Sequence, residues 1–195
     1  ELERMVPEAR GASAKPVQPK RPFVKPPCHI ALDAGSISAF VARVGSQPIA
    51  VDVLFDAEDP QRSPMVGFAL ATVHEALYVP VGHVYLGRPP LLPVTHAAGA
   101  IVSSLGMHPG LRAFHDAKNV LHAFARSDAS DLLRSGDVDT MLASYLLTAD
   151  AHDHTLDGVS KRMLETELPQ LASGDKKRTR WSERMNPIRR PPTTR

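Results

Sequence analysis

The 195-residue sequence has few of the features that mark secreted or membrane proteins. Its single cysteine, Cys28, cannot form an internal disulfide, which fits a cytoplasmic location better than a disulfide-stapled secreted domain. No run of 18 apolar residues is present, and the charged start ELERMVPEAR is unlike a secretory signal, so we expect no membrane association. Aromatic residues make up only 5% of the chain, so aliphatic side chains must fill the core.

The net charge of +2 hides an uneven distribution of charge along the chain. Residues 1–27 contain six Lys/Arg and three Glu, and residues 176–195 contain eight Lys/Arg and one Glu. The stretch between them, 28–175, contains 9 basic and 17 acidic residues, a net charge of −8. Because nonspecific nucleic-acid binding requires Lys and Arg to neutralise phosphates, this acidic stretch argues against an extended DNA groove.

Composition divides the chain into three segments. Residues 1–27 carry six prolines among Ala, Lys and Arg, which is typical of an extended linker. Residues 28–174 carry the periodic apolar pattern of a folded domain. Residues 175–195 are basic and lose that pattern, so we interpret them as a disordered tail.

Apolar periodicity in the central segment predicts a strand, a helix, three strands, a helix, a strand and further helices. This order indicates an α/β domain with a mixed sheet. Asp116 and Asp139 are expected to be the N-caps of the helices that they precede. The predicted elements are 29–32, 36–44, 49–55, 65–73, 76–81, 96–105, 111–114, 116–125, 139–147 and 155–164.

The apolar strand around Asp52 is the strongest candidate for a functional site. Metal-dependent phosphodiester cleavage needs several carboxylates that converge on two divalent ions. Oxygen ligands suit Mg²⁺, and a strand presents two carboxylates on one face from an Asp-x-Glu pair, because its side chains alternate. Here Asp52 is followed two residues later by Leu54, so the second carboxylate of such a pair is missing.

Four motifs resemble the 3′–5′ proofreading exonuclease domain of family A DNA polymerases, the bacterial DNA polymerase I type. The first, VDVLFDAEDPQRSPMVG (51–67), is similar without a gap to the family's F-D-T-E-T-x-S-L-D-P-M-R-A-x-L-V-G. The others, YVPVGH (78–83), HDAK (115–118) and DTMLASYLL (139–147), resemble the family's Y-[IV]-P-V-A-H, H-N-x-K and D-T-M-L-x-S-Y-x-L. The resemblance covers residues 28–165 and implies a ribonuclease-H-like exonuclease fold, a mixed sheet flanked by helices.

The resemblance also implies where catalytic ligands would lie. The family's paired carboxylates fall on Asp52 and Leu54, its helical Asp falls on Val120, and its last carboxylate has no counterpart in this sequence. This pattern implies a degenerate, truncated and inactive domain that needs no cofactor. Its expected role is structural, between the 5′-nuclease and polymerase regions of a parent polypeptide in DNA replication and repair. We expect the chain, which begins with Glu1 and not Met, to be part of such a longer protein.

A rival alignment places the family's Asp-x-Glu pair on Asp56 and Glu58. It requires a deletion of four residues before Pro64, and it leaves Val120 and the missing last motif unchanged. An active Mg²⁺-dependent 3′–5′ exonuclease acting on DNA is therefore the alternative function.

A third hypothesis is a nucleic-acid-binding module that binds DNA weakly and lies at the nucleoid when bound. Lys118 matches the lysine of a family motif and is a candidate for a phosphate contact. The other candidates are the first basic residues of the tail, namely Lys176, Lys177, Arg178 and Arg180.

Overall fold

The computed structural model describes residues 23–56, 62–129 and 131–169. The strands are β1 (Cys28–Ile30), β2 (Ile49–Phe55), β3 (Met65–Ala71), β4 (Ala76–Pro80), β5 (Arg112–Phe114) and β6 (Val138–Asp139). The helices are α1 (Ala34–Val44), α2 (Val94–Gly106), α3 (Ala117–Ala125), α4 (Thr140–Leu147) and α5 (Leu156–Leu164).

The six strands form one mixed sheet in the order β1-β4-β3-β2-β5-β6. Strands β2, β3 and β4 form an antiparallel meander. Strand β1 runs parallel to β4 at one edge, and β5 and β6 continue the sheet in parallel beyond β2. The predicted mixed sheet with flanking helices is therefore confirmed.

The core lies between one face of this sheet and the helices. Strand β2 alternates, so that Val51 and Val53 are buried while Asp52 is exposed. Phe68, the partner of Val53 on β3, meets the ring of Phe124 from α3 with ring centroids 5.0 Å apart. The rest of the core is largely aliphatic, as the low aromatic content predicts.

A buried ion pair fastens β5 to the loop that leads into β6. Arg112 is 2% exposed, and its Nε and Nη2 donate to the two carboxylate oxygens of Asp137 at 2.8 and 2.5 Å. Its Nη1 also donates to the carbonyl of Leu105 near the end of α2, at 3.4 Å. Asp137 additionally accepts the backbone N–H of Arg134 at 2.9 Å. The arginine thus joins β5 to the end of α2, seven residues earlier, and to the loop that contains Asp137, 25 residues later.

The sequence patterns predicted all five helices and five of the six strands of the described residues. Helix α2 and strand β6 are two places where the predicted and observed elements differ. Helix α2 begins at Val94, two residues before the predicted start. Strand β6 was not predicted, because a two-residue strand is too short to show alternation. Asp139 caps α4 as expected, and accepts the N–H groups of Met141 and Leu142.

Asp116 occupies the N-cap position of α3, but its side chain caps nothing. Its backbone is in the left-handed region, at a φ of 58°, and its carboxylate accepts from the side-chain amide of Asn119 instead. The capping expectation is therefore correct for the position and wrong for the interaction.

The predicted domain boundaries remain predictions, because the linker and the tail lie largely outside the described residues. Glu58 of the rival pair and the four basic residues at 176–180 also lie outside them. Within the described ranges, none of the helices is both long enough and apolar enough to cross a membrane.

The buried arginine gives a first prediction. Replacing Arg112 by Met removes both guanidinium hydrogen bonds to the buried Asp137 carboxylate and leaves Arg134 Nε, 3.8 Å away, as its ionic partner, so we expect the free energy of unfolding to fall by about 3 kcal/mol. The matched control is Lys161→Met, which removes a pair with Asp157 whose two side chains are about half exposed. That control should leave the denaturation midpoint almost unchanged, because solvent screens an exposed pair. Urea denaturation of both variants is the measurement, and equal effects would contradict a structural role for Arg112.

Candidate functional site on strand β2

The site is built on the face of the sheet that β2 turns away from the core. Alternation places Asp52 and Leu54 on the same face, and cross-strand pairing places Ala69 opposite Asp52 and Gly67 opposite Leu54. Tyr78 pairs with Ala69 on the next strand, so it belongs to the same row. The candidate site therefore lies at the centre of the sheet, with one carboxylate among small and aromatic residues.

Gly67 has no side chain because Tyr78 occupies the space above it. A Cβ at this position would collide with the ring and hydroxyl of Tyr78. The hydroxyl is fixed by a 2.8 Å hydrogen bond to Nε2 of His83, a fully buried histidine, and burial raises the pKa of Tyr78. The cross-strand neighbour of Leu54 is thus a glycine covered by a neutral tyrosine, and not an acid.

Asp52 is exposed, yet enough protein surrounds its carboxylate for desolvation to raise its pKa. The backbone N–H of Val53, which donates to Oδ1 at 2.8 Å, opposes this shift, as does the nearby imidazole of His115. No second acid contributes to the pKa of Asp52. This differs from a site with paired carboxylates, where the like charge would itself raise the pKa.

His115 is the titratable neighbour of Asp52, and the sequence analysis did not identify it as such. Strand β5 runs parallel to β2 with Ala113 opposite Ala50, so two residues further along both strands His115 comes level with Asp52. Its Nδ1 lies 2.9 Å from the hydroxyl of Thr140, which itself donates to the carbonyl of Phe114. The Thr140 hydroxyl therefore accepts from Nδ1 of His115. The proximity of His115 to Asp52 could have been predicted only from the parallel register of β2 and β5, which the sequence does not show.

Val120 is not on the open face of β2. It is 2% exposed and belongs to the hydrophobic core, one helical turn before Phe124. Leu54, in contrast, is half-buried and stands outside the core cluster. The two positions at which the resemblance implies lost ligands are thus in different surroundings, one sealed and one open to solvent.

The other acidic residues near the start of α3 are already engaged. Asp116 accepts from Asn119, and Asp137 is paired with Arg112. Asp139 caps α4 with Oδ1 and accepts the N–H of Ala117 with Oδ2, at 2.8 Å. Across residues 23–56, 62–129 and 131–169, no three His, Cys, Asp or Glu side chains come together so that they could hold a metal ion.

The remaining candidates are separate from Asp52. Lys118 is exposed on α3 and lines a surface groove between α3 and α4. Asp56 of the rival pair lies just beyond β2, where its N–H donates to the carbonyl of Pro64 at 3.0 Å. The residues that the structure describes around Asp52 do not supply the ligands for a pair of Mg²⁺ ions.

Comparison by sequence shows weak homology to a DNA polymerase. No protein-family model matches the chain. It is 29% identical over 137 residues to the DNA polymerase I of Pseudomonas aeruginosa, a match that covers 69% of this chain and 15% of that protein. The chain thus spans a small part of the length of this relative.

Comparison of structures shows the fold of 3′–5′ exonuclease domains. The POL domain of Pol1 from M. smegmatis, in complex with DNA primer-template and dNTP, is 26% identical, with a TM-score of 0.52 over 72% of this chain and 23% of that chain. The EXO domain of Nibbler from Aedes aegypti superimposes with a TM-score of 0.60 at 10% identity, over 83% and 77% of the two chains. The catalytic core of RRP6 from Trypanosoma brucei gives 0.55 at 16% identity, over 81% and 41%. The expected ribonuclease-H-like fold is confirmed.

The raised pKa of Asp52 predicts a specific pH dependence of stability. Desolvation disfavours the ionised form of Asp52, so its pKa is higher in the folded protein than in the unfolded chain, where it is about 3.9. Asp52 therefore lowers the free energy of unfolding as the pH rises from the unfolded pKa through the folded pKa. We therefore expect Asp52→Asn to raise the melting temperature at pH 7 and to have no effect at pH 3.

Asp33→Asn is the matched control for this measurement. Hydrogen bonds from Ser36 lower the pKa of Asp33, so its ionised form stabilises the folded state, and this contribution is lost as the pH falls through the lowered folded pKa. This variant should lower the melting temperature at pH 7 and not at the acid end. Two variants that shift in the same direction at pH 7 would contradict the assignment of Asp52.

Proposed function

We propose that this chain is a catalytically inactive 3′–5′ exonuclease-like domain of a DNA polymerase I-type protein, a structural module in DNA replication or repair. The observation that carries the proposal is the state of the three ligand positions. Only Asp52 has a carboxylate, whereas Leu54 pairs across the strand with Gly67, over which Tyr78 lies, and Val120 is buried in the core.

The chemistry of phosphodiester cleavage explains why these positions decide the function. Two divalent ions must be held together, one to activate water and one to stabilise the leaving oxygen. Mg²⁺ is bound through carboxylates in near-octahedral geometry, and one aspartate with a neighbouring imidazole does not supply that ligand set. The acids close to α3 cannot substitute, because they are held by Asn119, by Arg112 and by the caps of two helices.

A structural role accounts for what the domain retains. The sheet and its core are complete enough to superimpose on the catalytic core of RRP6, and the match to DNA polymerase I covers a 137-residue stretch of a much longer protein. The expected partners are therefore the 5′-nuclease and polymerase regions of a parent polypeptide. The active-exonuclease alternative is supported by the fold and by Asp52, and it is distinguished by activity.

The ligand positions give a prediction about activity and metal binding. We expect the parent chain, Leu54→Glu and Leu54→Glu/Val120→Asp to leave a labelled single strand undigested in Mn²⁺ and to show no two-site saturable Mn²⁺ binding by calorimetry. The reason is that the last family carboxylate has no counterpart even when the other two are restored. Leu54→Glu should fold normally, because position 54 is half-buried, whereas an unpaired carboxylate at 120 should cost about 3 kcal/mol or more.

The outcome that overturns the proposal is digestion from the 3′ end by the parent chain that disappears in Asp52→Ala. The active alternative would then be correct. Digestion that survives Asp52→Ala and disappears in Asp56→Ala/Glu58→Ala would instead identify the rival pair as the site. Melting curves of each variant separate a lost activity from a lost fold.

DNA binding through the basic tail is the second candidate function, favoured by eight Lys/Arg among residues 176–195. Because each phosphate contact to single-stranded DNA contributes about −0.7 to the slope of log affinity against log salt, four contacts predict a slope of about −3. Replacing Lys176, Lys177, Arg178 and Arg180 by Glu should abolish binding measured by fluorescence anisotropy. The control Lys118→Glu changes one exposed charge on α3 and should leave most of the affinity. The reverse result would place DNA binding on the folded domain.

A further inference from the structure

Helix α4 exposes an apolar strip that the described structure leaves largely uncovered, apart from one face of the Tyr145 ring, which stacks on His154 with ring centroids 3.7 Å apart. Of its eight residues only Ser144 is buried. Leu142, Tyr145 and Leu146 are 57%, 50% and 87% exposed, and their spacing of three and four residues places them on one face of the helix. Since soluble domains rarely expose contiguous apolar surface without a partner, this strip indicates a docking surface.

The strip continues into a groove between α3 and α4. The groove has a volume of about 560 Å³, and its lining includes Leu121 of α3, Leu133 of the connecting loop, and Met141 and Leu142 of α4. Leu142 belongs to both the strip and the groove, and Leu133 is also 41% exposed. Together they form one continuous surface, which we call the α4 surface.

We propose that the α4 surface is the docking site of this chain's own basic segment, residues 176–195, with Trp181 as the side chain that fills the groove. Trp181 is the only tryptophan in the chain. An indole is a large apolar group with a polar N–H, and it suits a mainly apolar groove that is open to water on one side. The proposal goes beyond the structural role of the domain and does not depend on whether the domain is catalytic.

The segment reaches the α4 surface without difficulty. The residues that the structure describes end at 169, five residues after the end of α5. Trp181 follows twelve positions later in the chain. Helix α5 lies beside α4, since Nη2 of Arg162 donates to the hydroxyl of Ser144 at 2.6 Å. An extended chain of twelve residues spans up to about 40 Å, several times the length of about 12 Å of α4 itself. Met185 and Ile188 follow Trp181 within the same segment and supply further apolar side chains for contact with the strip.

Charge complementarity favours this occupant over a second copy of the same surface. Residues 128–169, which include α4 and α5, contain nine Asp/Glu and three Lys/Arg, a net charge of −6. Residues 176–195 contain eight Lys/Arg and one Glu, a net charge of +7. The α4 surface is itself apolar, but two copies of the net-negative stretch around it would repel each other when brought together, whereas the basic segment is attracted to that stretch.

The fluorescence of Trp181 tests the proposal in the full chain. We expect its emission maximum to lie at shorter wavelength in the native protein than in urea, and its quenching by acrylamide to be slower. Leu142→Lys and Leu146→Lys should each shift the emission towards that of the unfolded chain, because a cation in the apolar strip disfavours docking. Both positions are exposed, so circular dichroism should remain that of the parent. The matched control is Leu86→Lys, at a fully exposed leucine elsewhere, which should leave the emission unchanged.

Three results would overturn the proposal. One is a native emission spectrum equal to that in urea, which would mean that Trp181 stays in water. Another is an equal shift in Leu86→Lys and in the strip variants. The third is a blue shift that disappears on dilution, together with a dimeric mass by light scattering, which would make a second copy the occupant.

Discussion

The position of β2 at the centre of the sheet is the constraint on which both the core and the candidate site depend. Because β2 pairs with β3 on one side and β5 on the other, its register is fixed from both edges. Its period of two then sends Val51 and Val53 into the core and Asp52 and Leu54 to the open face. A change at position 54 leaves the core residues in place, so the fold tolerates the loss of a ligand there.

Structural demands also account for the acids near α3. Asp137 balances a buried arginine, and Asp139 accepts backbone N–H groups at the starts of two helices, where negative charge is favoured. A carboxylate used in this way is fixed by its donors and has little capacity left to bind a cation. The acidic character of the domain is therefore in part a consequence of how its helices and β5 are fastened, and it is not by itself a sign of a metal site.

The sequence predicted the long elements well and the polar interactions poorly, for physical reasons. The observed strand 49–55 and the end of α1 at Val44 agree with the prediction. The reason is that buried positions recur every second residue in a strand and every three to four residues in a helix, so apolar residues in the sequence show both periods. Arg112 could not be recognised as buried, because one arginine beside a short apolar run looks the same as an exposed one until Asp137 is placed 25 residues later in the chain. The proximity of His115 to Asp52 likewise depends on strand order, which a local pattern does not contain.

A carboxylate would cost more free energy of unfolding at position 120 than at position 54. Burying a valine contributes roughly 1.5–3 kcal/mol, so Val120 stabilises the core that α3 forms with β2 and β3, and a carboxylate there would lose that contribution and add a desolvation cost. Leu54 stands outside the core, so a glutamate at 54 would lose little. The packing around α3 therefore opposes a complete ligand set more strongly than the surface of β2 does. Val120 fixes the first turn of α3 in the hydrophobic core, on the side of β2 away from the open face that carries Asp52.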